Sequence, residues 1–301
     1  MSNFKSNTLT FMSKTVALLV GGWSEEREVS LMKGKSVEDA LRQGGYDLKV
    51  IDVTRDIDDF MDQLTPRPDV VFNNLYGKGG EDGVIQGVLE MMQIPYTHSN
   101  VMASAVGMDK GISKIIAKSV GVKVAETLTY PYDAPYVLKP IDEGSSVDIT
   151  IVFEGDNFQP DVTKKGMLAE RYIAGRELTC AVLDGKAQAV SEIISENKFF
   201  DYEAKYTSQN TEYTLPADIP AEIYSQAMEQ SEAIFEALGC QGIARCDYRY
   251  DEGGAGLVFL EINTQPGFTA ESIGPSQVIY NGMSFVDLCA HLVETASVKN
   301  K

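Results

Sequence analysis

The sequence predicts a mixed fold: a parallel α/β sheet followed by two smaller α+β units. Three observations point there. Strand-like and helix-like stretches alternate through the first third of the chain, the order that builds a parallel sheet covered by helices. From about residue 99 the pattern changes to a helical stretch and then short strands set off by glycine turns. The last part carries two hairpin patterns with a long amphipathic helix between them.

Residues before about Thr15 read as a disordered lead-in. TVALLVGG (15–22) is a buried strand ending in glycines, and SLMKGKSVEDALRQGGY (30–46) is a helix closed by Gly44 and Gly45. DLKVIDV (47–53) and DVVFNNLYG (69–77) are strands. DGVIQGVLEMMQ (82–93) is a helix with Val84, Val88 and Met91 on one face. Ligands of such sheets gather at the carboxyl ends of the strands, where the glycine-rich GGWSEERE (21–28) and YGKGGEDG (76–83) fall. NVMASAVGMDKGISKIIAKSVGV (100–122) is helical, and PYVLKPIDEGSSVDITIVF (135–153) with MLAERYI (167–173) makes a small antiparallel unit. ELTCAVLDGKAQAVSEII (177–194) is a hairpin turning at Asp184 and Gly185. FFDYEAKYTSQNTEYTLP (199–216) is too long for a tight turn and reads as a functional loop. A helix from about Ala221 to Leu238, stopped by Gly239, buries Ile223, Ala227, Ile234, Phe235 and Leu238. GIARCDYRYDEGGAGLVFLEINT (242–264) is a second hairpin and SFVDLCAHLVETA (284–296) a closing helix.

Composition excludes several classes of function. The 26 Lys and Arg against 44 Asp and Glu give a net charge of −18, which argues against a nucleic-acid or anionic-membrane partner. A basic pocket for a phosphorylated small molecule is compatible with that charge. No apolar run approaches the roughly 20 residues of a membrane span. No signal-type apolar region opens the chain, so a cytoplasmic protein is expected. Cys180, Cys240, Cys246 and Cys289 form no C-x-x-C pair and read as reduced structural thiols. With only two histidines, His98 and His291, a His-centred triad or His-rich zinc site has no basis.

The chemistry-bearing residues cluster at strand ends. In LEINTQPGFT (260–269), Glu261 and Asn263 stand two apart, hence on one face, at the end of an apolar strand. A buried carboxylate needs a partner. The hairpin brings Asp247 beside them, and three oxygen ligands suit a hard cation such as Mg²⁺ or Mn²⁺. The alternative is a strand end solvated by polar residues. In KPIDEGSSV (139–147) a lysine ends a strand and a Gly-Ser-Ser turn follows, a disposition able to cover a polyphosphate or simply to turn. Lys110 in GMDKGISK is a second phosphate lysine or a solvated one. Glu170 and Glu177 in AERYIAGREL are ribose acceptors or surface charges. Lys205 and Tyr206 reach into a cleft or belong to an ordinary surface loop. Glu26 and Ser30 lie one helical turn apart near a helix start, where capping alone explains acidic residues.

Taken together and in order, GGWSEEREVSL, GKGGEDG, IPYTHS, MDK, KPIDEGSSV, FFDYEAKY, ARCDYRY and LEINTQPGFT resemble the D-alanine–D-alanine ligase family of the ATP-grasp superfamily, in its alphaproteobacterial style, from about Val16 to about Glu294. The resemblance implies three domains: 1–98 (parallel α/β), and two α+β jaws, 99–171 and 172–301, the last carrying loop 197–216. It implies ATP-dependent joining of two D-alanines through an acyl phosphate, for peptidoglycan precursors. ATP would contact Lys110, Lys139, Ser146, the hinge Glu170, Arg171, Tyr172 and Ile173, and Glu177. Asp247, Glu261 and Asn263 would hold two Mg²⁺ or Mn²⁺ ions. Glu26 would hold the first D-alanine's ammonium and link with Ser145 and Tyr206. Arg245 and the N–H of Gly267 would stabilise the oxyanion, and Lys205 and Ser272 would grip the second carboxylate. A homodimer through the first domain is also implied. A D-alanine–D-lactate ligase, another carboxylate–amine ligase of the superfamily and a non-catalytic nucleotide binder are the competing readings; EAKY argues for the dipeptide former.

Three departures from the family pattern stand out. Tyr76 replaces the usual histidine of the LHG motif, and a phenol is a poor base near neutral pH. Asp148 stands where glycine is common. The segments near 126–135 and 153–167 are short.

Overall fold

The computed structural model describes residues 13–143, 148–161, 163–195 and 211–298. The lead-in through residue 12, Ser145 and Ser146, and most of the expected loop, including Lys205 and Tyr206, lie outside the described residues. Among the described residues, no helix is long and apolar enough to cross a membrane.

The alternating first third becomes β1 (Thr15–Gly21), α1 (Arg27–Gln43), β2 (Asp47–Val53), α2 (Ile57–Gln63), β3 (Val70–Asn73) and α3 (Val84–Met92). The three strands pair in parallel in the order β2-β1-β3. The period-2 rule sorts β1's side chains between two cores. Val16, Leu18 and Val20 join the core under α1, whereas Ala17 and Leu19 join the core that holds Phe60, Ile85 and Leu89. Helix α2 was not read from the sequence. In α3 the buried face is not the expected one: Ile85 and Leu89 are buried, Val88 is partly buried, and Val84 and Met91 are exposed. Two adjacent stripes of this helix are apolar, so its pattern does not choose between them, and the sheet takes the Ile85–Leu89 stripe.

The single helix expected over 100–122 is two, α4 (Val101–Met108) and α5 (Lys110–Ser119). Asp109 breaks it, because its backbone is extended and its carboxylate accepts from Ile112 N–H, which caps α5. The break places Lys110 at the first position of α5, where its N–H donates to Ile141 O at 3.0 Å. The small antiparallel unit is a three-stranded sheet of β4 (Tyr136–Pro140), β5 (Thr150–Val152) and β6 (Met167–Arg171), in the order β5-β4-β6. Asp148, where the family pattern has glycine, adopts φ +56°.

The last part builds β7 (Arg176–Leu183), β8 (Lys186–Ser195), β9 (Thr211–Thr214), α6 (Ala221–Leu238), β10 (Ile243–Asp251), β11 (Gly256–Asn263), α7 (Ile273–Tyr280) and α8 (Phe285–Thr295). Its strands form an antiparallel sheet in the order β11-β10-β7-β8-β9. The β7–β8 turn is at Asp184 and Gly185, both at positive φ (46° and 79°), as a two-residue hairpin turn requires. The stretch 211–214, expected inside the loop, is an edge strand paired with β8. Helices α4, α5 and α6 share one core with this sheet, through Ala103, Ala117, Ala227 and Ile234. Helix α7, also unread in the sequence, covers the other face, where Gln277 accepts from Ala181 N–H and donates to Thr179 O. Helix α8 packs on the first sheet's core through Leu288, Leu292 and Val293, so the chain's end closes on its beginning. All four cysteines are buried and unbridged, as structural thiols should be.

Candidate active site

A cavity opens between the three-stranded and five-stranded sheets. Lys110, Lys139, Glu170, Arg171, Tyr172, Ile173, Glu177, Arg245, Asp247 and Glu261 all line it. Lys110 comes from the first turn of α5, Tyr172 and Ile173 from the connection between β6 and β7, and the others from strands. Lys139 closes β4, Glu170 and Arg171 close β6, and Glu177 opens β7.

One carboxylate serves two lysines in this cavity. Glu170 is 2% exposed, bonds the Lys114 ammonium and ion-pairs Lys139 at 2.8 Å. Burial pushes the Glu170 carboxyl up, but the charges of Lys139 and Lys114 outweigh it and hold the group below its ordinary value. Lys114 is pushed down to about 7, by burial first and then by the Lys139 charge. Lys114 was missed in the sequence. Its signal was there: it stands one turn after Lys110 on the buried face Lys110, Ser113, Lys114, Ala117. Lys110 donates to Glu143 O at 2.5 Å and lies 3.4 Å from Glu261. Glu177 faces Arg249 at 3.9 Å.

The β10–β11 register sets Asp247 opposite Glu261 and Arg245 opposite Asn263. Arg245 grips Asp247 through both carboxylate oxygens at 2.8 and 2.7 Å, and Thr179 Oγ1 donates to the same carboxylate at 2.6 Å. Asn263 Oδ1 accepts from Gln265 N–H at 2.9 Å. Among the described residues, no three His, Cys, Asp or Glu side chains are grouped to hold a metal unaided. Two carboxylates and one carboxamide fit Mg²⁺ or Mn²⁺ when water and phosphate oxygens complete the shell.

The other end of the cleft is made by loops of the first sheet and the loop after β11. Glu26, at the start of α1, is 8% exposed and Glu81 is 9% exposed. Glu81 accepts from Gly77 N–H at 2.9 Å. Its pKa is pushed up to about 8 by burial and then by the Glu26 charge, against the pull of Arg245. A Cβ on Gly77 would meet Glu26 Oε2 at 2.8 Å and Ser24 at 3.0 Å, so only glycine lets this turn close over the carboxylate. Glu81 was also missed, because its sequence context GEDG reads as a turn.

The loop after β11 is sewn to the loop after β3. Asn73 donates to Gln265 Oε1 at 2.8 Å, and Gln265 donates to Leu75 O. Tyr76 is buried; its hydroxyl donates to Asn74 Oδ1 at 2.9 Å and accepts from Phe268 N–H at 3.1 Å. The phenol that replaces the family histidine therefore holds the turn containing Gly267. Ser272 caps the next turn: its hydroxyl pairs with Thr269 Oγ1 at 2.9 Å and accepts from Thr269 N–H at 3.1 Å. Glu26, Gly267 and Ser272 thus lie at this end, apart from the residues that line the cavity between the sheets.

Comparison with known proteins finds similar chains over nearly the whole length. A family model described as the D-ala D-ala ligase C-terminus matches residues 103–294. The D-alanine–D-alanine ligase of Acidiphilium cryptum is 46% identical over 95% of this chain and 99% of its own length. That of Rhodospirillum rubrum is 45% identical over 95% and 99%. Among solved structures, the Bacillus anthracis D-alanine–D-alanine ligase complexed with ATP superposes with a TM-score of 0.76 at 28% identity, covering 94% of this chain and 97% of that one. The VanG D-Ala:D-Ser ligase of Enterococcus faecalis gives 0.77 at 28% identity, covering 94% and 99%.

Proposed function

The chain belongs to the D-alanine–D-alanine ligase family, and from that premise we propose that it joins two D-alanine molecules at the expense of ATP, supplying the dipeptide for peptidoglycan precursors. One observation carries the reading to this chain's own residues. The cavity between the sheets gathers Lys110, Lys139 and Arg245, each set against a carboxylate, with Lys114 on Glu170, while the other end of the cleft holds Glu26 and Glu81. The lysines and the arginine suit a polyphosphate. The carboxylate end suits an ammonium. Arg245 lies within electrostatic reach of both.

ATP lies in the cavity between the sheets, its phosphates against Lys110 and Lys139, its adenine along Glu170 to Ile173 and its ribose toward Glu177. Glu26 orients the first D-alanine by its ammonium, so that its carboxylate faces the γ-phosphate. Attack there gives an acyl phosphate and ADP. The lysines offset the charge that gathers on the transferred group. Asp247, Glu261 and Asn263 are the residues that would hold Mg²⁺ or Mn²⁺, which supplies charge neutralisation at the phosphates. For that, Asp247 has to share its carboxylate between the cation and Arg245.

The amine of the second D-alanine then attacks the acyl carbon, and phosphate leaves. Arg245 and the N–H of Gly267 receive the oxyanion. Tyr76 takes no proton in this scheme, because both its lone pair and its proton are already committed. Ser145, Ser146, Lys205 and Tyr206 are assigned from their motifs alone: Ser146 to ATP, Ser145 and Tyr206 to the link with Glu26, and Lys205 with Ser272 to the second carboxylate. A homodimer is the expected assembly, which sedimentation velocity tests.

The deciding experiment measures phosphate release from ATP and Mg²⁺ with D-alanine, L-alanine, D-alanine plus D-lactate, and D-alanine plus D-serine, with products identified by mass. Release with D-alanine alone, yielding the dipeptide, is expected. A depsipeptide or D-alanyl-D-serine formed in preference would move the assignment to another acceptor. No turnover with any of them would overturn it.

A further inference from the structure

Lys33 stands in the cleft without a part in the scheme above. It is half-buried on α1, two helical turns after Glu26, so the two residues lie on one face of that helix. Its ammonium lies 5.4 Å from the centroid of the Tyr76 ring. It also abuts Gly267 so closely that a Cβ added there would collide with Lys33 Nζ, and the next group around that point is the Ser272 hydroxyl, 3.7 Å away. An ammonium and a hydroxyl therefore converge on the bare side of the Gly267 turn. The face of an aromatic ring attracts an ammonium set over it.

We propose that Lys33, together with Ser272, binds the carboxylate of the second amino acid, the one whose amine attacks the acyl phosphate. The inference rests on the ligase reading. In that reaction the acyl oxygen is received at Gly267, and the attacking amine approaches the same acyl carbon. Only one carbon separates that amine from its own carboxylate. An anion must therefore be accommodated next to Gly267, and the Lys33 ammonium is already there. Glycine at 267 leaves room for that ammonium. Tyr76 then has two tasks, holding the turn through its hydroxyl and supporting the ammonium through its ring.

The test compares the wild-type chain with Lys33→Met and Lys33→Arg. D-Alanine saturation is resolved into its two binding steps, and D-alaninamide, which lacks the anion, is supplied as a competing acceptor. In Lys33→Met the KM for the second D-alanine should rise on the order of tenfold or more, the worth of a hydrogen bond to a charged group. The KM values for ATP and for the first D-alanine should stay put, as should the melting temperature. The preference for D-alanine over D-alaninamide should collapse, and Lys33→Arg should restore most of it. An unmoved acceptor KM, or an amide preference retained in Lys33→Met, overturns the proposal. A fall in kcat alone also overturns it, because that would put Lys33 on the oxyanion instead. If the wild-type chain makes no dipeptide, the ligase reading falls first and this inference falls with it.

Discussion

The two ends of the cleft handle buried charge in opposite ways. At the nucleotide end, Lys114 and Lys139 share Glu170, and Lys114 falls to about 7 through burial first and then the Lys139 charge. At the amino-acid end, Glu81 rises to about 8 through burial first and then the Glu26 charge, against the Gly77 N–H bond and, more weakly, Arg245. A like-charged neighbour adds to the cost of burial at each end, lysine beside lysine at one and glutamate beside glutamate at the other. Phosphates would relieve the first and an ammonium the second. The contrast is more informative than either end, because a purely structural network would tend toward neutrality at both.

The largest effect should come from Arg245, the group common to both ends. Arg245→Gln should lower kcat by about 10²–10³, the usual cost of losing an oxyanion donor, with a smaller change in the KM for ATP. Steady-state kinetics check this. A loss confined to the KM for ATP would assign Arg245 to the nucleotide end alone and break the comparison. Next is Glu170→Gln, which leaves Lys139 and Lys114 without their carboxylate. It should cost on the order of 3 kcal/mol in chemical unfolding, reduced to the extent that Lys114 sheds its proton. Saturating ATP should recover more stability in this variant than in the wild type, since phosphate replaces the missing charge. An undiminished stability would mean that Glu170 does not hold the cations.

How much of this was legible in the sequence follows from the range of each interaction. Lys139, Asp247, Glu261 and Asn263 could be read because strand alternation and hairpin pairing are local, and the β10–β11 register came out as those patterns require. The helix break at Asp109 was local too, but an aspartate within a helical pattern has two readings, and only the extended backbone selects the cap. The buried face of α3 could not be chosen because two stripes were equally apolar. Glu81 beside Glu26, Tyr76 under Phe268 and Lys33 against Gly267 join segments far apart in the chain. No periodicity connects them; they meet because the parallel sheet delivers its loops to the same end as β11.

Tyr76 joins the two loops that make the amino-acid end, and Tyr76→Phe isolates what its hydroxyl does. The ring remains under Lys33, while Phe268 N–H loses its acceptor and Asn74 its donor. A loss of about 1–2 kcal/mol in stability is expected, with kcat reduced several-fold and the KM for ATP unchanged. If the KM for ATP moves as much as kcat, the Gly267 turn is not what the hydroxyl positions.

The dependence on pH is the sharpest test of the contrast, because the two ends should tilt stability in opposite directions. Glu81 is raised from 4.5 to about 8. Between those values the folded chain keeps a proton that the unfolded chain has released, so this contribution is full at low pH and is lost as pH rises through about 8. Lys114 is lowered from 10.5 to about 7. Between those values the unfolded chain holds the proton instead, so its contribution grows as pH rises. Glu81→Gln keeps an oxygen for Gly77 N–H but carries no titrating group. Its melting temperature, followed from about pH 5 to about pH 9, should lose the wild type's decline, about 4 kcal/mol over roughly three pH units, on the order of ten degrees at roughly 2–4 °C per kcal/mol. Lys114→Met should steepen that decline. Parallel curves for all three proteins would mean that neither group is shifted in the folded chain, and the contrast between the two ends would fall.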